Sequence, residues 1–283
     1  MKKSLLYFLI IIINTALVAE TRVALVIGNS NYVAWGKLKN TKNDARDMKN
    51  LLKSRGFDVL YGIDLTKKEF EDLLIKFKNR LSINRENIGL FYFSGHGMEI
   101  QHSNYLIPID SKEAKPHLNI ALDKVIYDMN SAKNQLNIII LDACRDNPFI
   151  YTLPTNTTER SIHTKISGGF SEISIPEGLF IAYATKSGKV AWGGGNIGLK
   201  NGLFTKYLLD YMKEPLPLYK IFLKTKRKVF KISKKKQLPT FYDQTTGEDF
   251  YITQPPSPNP PPYKPSTLSH IPIYCDYQDN DFD

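Results

Sequence analysis

Cysteine is nearly missing from this chain of 283 residues: there are two, Cys144 and Cys275. Two cysteines cannot build the dense disulfide framework of a small exported scaffold, and no CxxC pair stands ready for zinc or thiol exchange. HExxH is absent too, which removes the commonest zinc-peptidase pattern. The run Gly193-Gly194-Gly195 follows Trp192 rather than a strand and lacks the Lys-Ser/Thr of a phosphate loop, so nucleotide binding is not supported. Internal repeats are lacking. The apolar run 5–13 falls well short of the roughly 20 residues of a comfortable membrane span.

What is present fits a globular protein. Hydrophobic residues make up 42% of the chain, ample for a core, and the formal net charge is +10. Lys2 and Lys3, the run 5–13 and small residues ending at Ala19 follow the secretory pattern, so residues 1–19 read as a signal peptide and the protein as secreted or periplasmic. Leu17 is bulkier than the residue usually found three before a cut, and retention as a membrane anchor is the alternative. Cleavage would remove two lysines and no acid, leaving +8. Tying Cys144 to Cys275 would staple a core strand to a Pro-rich extension; a single core cysteine in an exported chain reads instead as a reactive thiol.

From residue 22 onward strand and helix patterns alternate, which predicts an α/β protein with a mostly parallel sheet covered on both faces. Strands are expected at 22–28, 57–61, 87–94, 137–142 and 178–184, with a last one within 237–252. Helices are expected from Thr41 to Gly56, behind the capping box Thr66-Lys67-Lys68-Glu69, and at 118–133, 203–212 and 218–233. Thr41 with Asp44 is a weaker capping pattern, and 98–109 reads as a short hairpin or loop. Residues 150–170 are loop-like, and from Thr253 the chain becomes a Pro-rich tail. The boundaries are therefore 1–19, 20–252 and 253–283. Nine cations lie between Lys220 and Lys236, with Leu218, Phe222, Thr225, Val229 and Ile232 at helical spacing. A solvated basic face is one reading; contact with an anionic lipid or nucleic-acid surface is the other, and nucleic acid is not otherwise indicated.

Two of the strands empty into reactive residues. The run 87–94 ends in Gly95-His96-Gly97 and the run 137–142 in Ala143-Cys144-Arg145-Asp146, with His96 and Cys144 48 positions apart. Ligands and catalytic groups of open α/β sheets gather at the carboxyl ends of strands, so an imidazole and a thiol would face one crevice. The imidazole accepts the thiol proton and later protonates the leaving amine. His96, Glu99 and His102 are three apart, a metal spacing suited to a helix; here it follows a strand and includes Gly97.

Ser94-Gly95-His96-Gly97 with Leu141-Asp142-Ala143-Cys144-Arg145 resembles the caspase-like cysteine peptidases (family C14), above all their bacterial metacaspase-like members. Arg22 to Gly28, Asn43-Asp44-Ala45 and Tyr183 to Gly188 add to the likeness, while Asp142 and Asp146 replace the Gln and Gly of the caspase signature. The resemblance implies the caspase-hemoglobinase three-layer sandwich, a six-stranded mostly parallel sheet with helices on both faces. It implies His96 and Cys144 as the catalytic dyad of an endopeptidase, and the backbone N–H groups of Gly97 and Cys144 as the oxyanion hole. It implies Asp142 as the substrate-binding residue that selects Lys or Arg, although 190–193 carries glycine where relatives often have a second acid. No cofactor is implied. The partner is a protein or peptide substrate, with self-processing in 150–170 and membrane contact only if the N-terminal segment is retained. The alternative of a different class is a catalytically silent binding or scaffold protein on the same fold.

Overall fold

The computed structural model describes residues 21–100, 103–144, 176–185 and 199–256. The first strand, β1 (Arg22–Gly28), has six consecutive buried residues, the mark of a strand covered on both faces. It pairs in parallel with β2 (Phe57–Ile63) on one side and with β3 (Ile88–Ile100) on the other. Then β3 pairs in parallel with β6 (Leu136–Cys144), and β6 with β7 (Leu179–Tyr183). The strand β8 (Thr240–Asp243) closes the edge antiparallel to β7. The order β2-β1-β3-β6-β7-β8 is the expected six-stranded, mostly parallel sheet. Off this path, β4 (Ser103–Leu106) folds back on the far end of β3 and takes up the short β5 (Ile120–Ala121).

Alternation along the strands splits the apolar residues into two layers. Leu25, Phe91, Phe93 and Leu141 pack on one face against α2 (Lys67–Leu81) and α3 (Leu122–Ser131), through Phe70, Leu74 and Phe77 from the former and Val125 and Met129 from the latter. Val26, Tyr92, Ile140 and Phe180 pack on the other against α1 (Thr41–Ser54), α4 (Leu203–Met212) and α5 (Leu218–Ile232). These are the three layers that the strand and helix alternation predicts.

The capping box forms at α2: Thr66 N–H donates to Glu69 Oε2 (2.9 Å) and Glu69 N–H to Thr66 Oγ1 (3.4 Å). At α1 the pattern fails. Asn40 is the N-cap there, without a side-chain cap, and the Asp44 carboxylate is turned inward to α4. Along α5 the buried stripe is Leu218, Ile221, Phe222, Thr225 and Val229, while Ile232 is exposed. The third helix starts later than its apolar pattern suggests, since 116–118 form a 3-10 turn behind Pro116. The 98–109 excursion is a hairpin whose first arm is β3 itself, running on past His96. The N-terminal segment 1–19, the loop 150–170, Gly193 to Gly195 and the tail from 257 onward lie outside the described residues.

Candidate active site

Strand order reverses direction across β1, with β2 on one side and β3 on the other, and crevices of open parallel sheets form at such a switch. At this end of the sheet lie the turn after β1, the N-terminus of α1, the far part of β3, the end of β6 and the N-terminus of α4. The register makes His96 of β3 the direct partner of Cys144, the last residue of β6. Ser94 partners Asp142 two steps earlier. Gly97 follows His96 in the strand and partners Leu106. The side chain of Cys144 is not among the described ones.

The turn 29–40 builds the surroundings of His96, and no sequence pattern singled it out. Asn29 anchors it: its Nδ2–H donates to Ile107 O (3.1 Å) and its Oδ1 accepts from Leu65 N–H (3.0 Å). Asp64 Oδ1 accepts from the N–H groups of Ser30 (2.8 Å) and Asn31 (3.0 Å), and Lys42 pairs with the same carboxylate. Burial opposes that charge, but the Lys42 bond and the two N–H groups prevail and hold Asp64 below the usual carboxylate range. Trp35 Nε1–H donates to Ser111 O (2.7 Å).

So fixed, the turn encloses the imidazole. Tyr32 lies 4.6 Å from the His96 ring and Trp35 6.4 Å, both tilted. Tyr32 Oη accepts the His96 backbone N–H (2.8 Å). A Cβ on Gly95 would stand 2.5 Å from that same hydroxyl and 2.6 Å from Phe93 Cζ, so position 95 has room only for glycine. His96 Nε2 lies 2.7 Å from the carbonyl of Gly36. A carbonyl only accepts, so Nε2 carries the proton and Nδ1 is left as the basic nitrogen. Burial lowers the His96 pKa below its ordinary value, against the smaller opposing pull of the Gly36 bond. The ring is neutral at neutral pH and oriented as a proton acceptor.

The second cluster is acidic. Asp142 Oδ2 accepts from Thr205 Oγ1 (2.5 Å), and Thr205 Oγ1 lies 2.6 Å from the Tyr92 hydroxyl. Thr205 has one proton and gives it to the carboxylate, so Tyr92 donates to Thr205 and the three form a directed chain. Asp44, only 2% exposed, accepts from Gly202 N–H (2.9 Å) and Ser94 Oγ (3.4 Å). A Cβ at Gly202 would lie 3.2 Å from Asp142 Oδ2 and 3.3 Å from Asp44 Oδ2, so the two carboxylates converge on that glycine. Among the described residues neither has a cationic partner. Burial raises Asp142 to about 6, although that residue is only half-buried. Burial first, and then the charge of Asp142, raises Asp44 well above its ordinary value.

The acid pair begins two register steps before His96 and Cys144, about 7 Å along the strands. A long cationic side chain spans that distance. The metal reading fails on geometry: in a strand of period two, Glu99 points to the opposite face of β3 from His96, and His102 lies outside the described residues.

A family model described as Peptidase_C14, Caspase domain, matches residues 21–251. The human Mucosa-associated lymphoid tissue lymphoma translocation protein 1 is 29% identical over 198 residues, 69% of this chain and 22% of that protein. Mouse Caspase-12 is 25% identical over 251 residues, 82% of this chain and 58% of its own length. Rat Caspase-1 is 25% identical over 252 residues, 82% and 60% of the two chains. The chain thus spans about a fifth of the first relative's length and under two thirds of the others'.

Proposed function

This chain belongs to the caspase domain family, and on that premise we propose that it is an exported cysteine endopeptidase that cuts after Lys or Arg, as the metacaspase-like members do. The observation that carries the reading is the register pairing of His96 with Cys144, beside an imidazole whose Nε2–H is committed to the Gly36 carbonyl. Nδ1 takes the thiol proton, the thiolate attacks the scissile carbonyl, and the imidazolium returns the proton to the leaving amine. The N–H groups of Gly97 and Cys144 stabilise the tetrahedral oxyanion. Water then attacks the acyl-enzyme, with His96 again taking the proton.

The preference for a cation rests on two converging carboxylates without a described counter-charge, since buried acids are costly unless paired or put to use. Asp44 joins Asp142 in this role and supplies the second acid that 190–193 lacks. Asn43-Asp44-Ala45 carried it in the sequence, but as a helix-start pattern; only the approach of α4 reveals the pairing. Export rests on the N-terminal pattern alone. Self-cleavage after Arg160 or Lys165 follows from basic specificity and the loop-like composition of 150–170. A fluorogenic panel of peptides ending in Arg, Lys, Asp or Asn tests the proposal: hydrolysis confined to the first two is expected. No hydrolysis of any peptide by material with the same activity as Cys144→Ala would leave the silent binding protein as the better reading.

A further inference from the structure

The proposed chemistry leaves the basic face of α5 unused. No acid occurs between Glu214 and Asp243, whereas nine Lys or Arg lie between Lys220 and Lys236. The stripe from Leu218 to Val229 is buried against the sheet, so Lys220, Lys224, Arg227 and Lys231, three or four residues apart, share the opposite face. Lys234 and Lys235 extend it past the helix end in exposed positions with φ of 51° and 66°. Lys224 pairs with Glu214 at 2.5 Å. Among the described residues Lys220, Arg227, Lys228, Lys231, Lys234 and Lys235 form no ion pair. Like charges at these spacings repel, so the face gains from an anionic cover.

The chain itself contains a complementary segment. Residues 265–283 have no Lys or Arg and four acids, Asp276, Asp279, Asp281 and Asp283, in a protein whose net charge is otherwise strongly positive. The chain heads toward this segment from beside α5: Leu218 N–H donates to Phe250 O (2.9 Å), Pro217 bridges Tyr251, and Thr253 Oγ1 donates to Met212 O (2.7 Å). Twenty positions separate Pro256, the last described residue, from Asp276. At about 3.1 Å per residue a Pro-rich connection reaches roughly 60 Å, and α5 is only about 22 Å long. A tether of this kind gives an effective concentration on the order of millimolar.

We propose that the acidic segment 274–283 docks in cis on the basic face of α5 and shields it from other polyanions. Carbodiimide, which joins carboxylates to amines in direct contact, is applied to the full chain at low micromolar concentration, and the links are mapped by mass spectrometry. Links from Asp276 to Asp283 onto lysines of 220–236 are expected, lost when salt is raised to about 1 M, where the screening length is about 3 Å. Absence of these links overturns the proposal, and so do links predominantly between heavy- and light-isotope copies, which would mean pairing between molecules. The full chain carrying Asp276→Asn, Asp279→Asn, Asp281→Asn and Asp283→Asn should elute from immobilised heparin, and dissociate from vesicles rich in anionic lipid, at higher salt than wild type. Equal salt dependence on both would show that the face is not covered by the tail, and would likewise overturn the proposal.

Discussion

Two buried ionisable clusters share one end of the sheet, and they respond to burial in opposite functional senses. Around His96 burial favours the neutral imidazole, which is the form able to take a proton. Around Asp142 and Asp44 burial favours the neutral acid, which is the form unable to bind a cation. On the proposed mechanism the His96 cluster is therefore at rest in its working state, and Tyr32, Trp35 and the Gly36 carbonyl, which lie against the ring, are uncharged. The acid cluster instead holds two carboxylates close together around Gly202, with no cationic partner among the described residues. If the two clusters act as proposed, a site for proton transfer can be built by neutral packing, whereas a site that selects charge keeps an electrostatic cost in the free protein.

On the proposed function, the largest effect falls at the His96 cluster. Cys144→Ala and His96→Ala should each lower kcat for an Arg peptide by at least about 10³-fold, because nucleophile and base act as one unit. Binding of an uncleaved Arg peptide, measured by calorimetry, should persist in Cys144→Ala, since the acid pair is untouched. Loss of that binding would join the two clusters into one.

Asp142→Asn should do the reverse. A charge-assisted hydrogen bond is worth about 1.5 to 3 kcal/mol, so the ratio of kcat/KM between matched Arg and Asp peptides should fall roughly tenfold to a hundredfold, with the thiol still titratable. An unchanged ratio would make Asp142 structural.

Acidity sharpens the same distinction. With Asp142 raised to about 6, kcat/KM for Arg peptides should rise as pH passes upward through about 6, where the carboxylate forms. In Asp142→Asn the part of that limb that belongs to Asp142 should be lost, leaving the dependence set by the raised Asp44 and the lowered His96.

Stability gives the smallest effect. The folded pKa of Asp142 exceeds its ordinary 3.8, so folding favours the protonated acid and stability is lost as pH rises from about 4 to about 6. Asp142→Asn should therefore stabilise the fold by about 1 to 2 kcal/mol at pH 8 and by almost nothing at pH 4, as read from urea unfolding at both. Equal effects at the two values would mean that the carboxylate carries no folding penalty.

Much of this molecule was readable from one-dimensional pattern. Continuous apolar runs 23–27 and 138–141 read as strands covered on both faces, and the capping box at Thr66 located the start of α2, because these signals are local and backbone-driven. The strand ends put His96 and Cys144 forward together, and sheet register made them partners. What sequence could not supply was everything assembled from distant segments by approach rather than by pattern. Gly36 contributes a backbone carbonyl, which any residue would offer, and so leaves no mark in the sequence. Asp44 sits where a helix-capping acid would, and only the packing of α4 against α1 gives it Asp142 as a neighbour instead. Local periodicity determined the layers and put His96 and Cys144 at neighbouring strand ends; tertiary structure alone decided which nitrogen of His96 is basic and which two acids converge on Gly202, because those depend on the direction of hydrogen bonds and the proximity of charges across the fold.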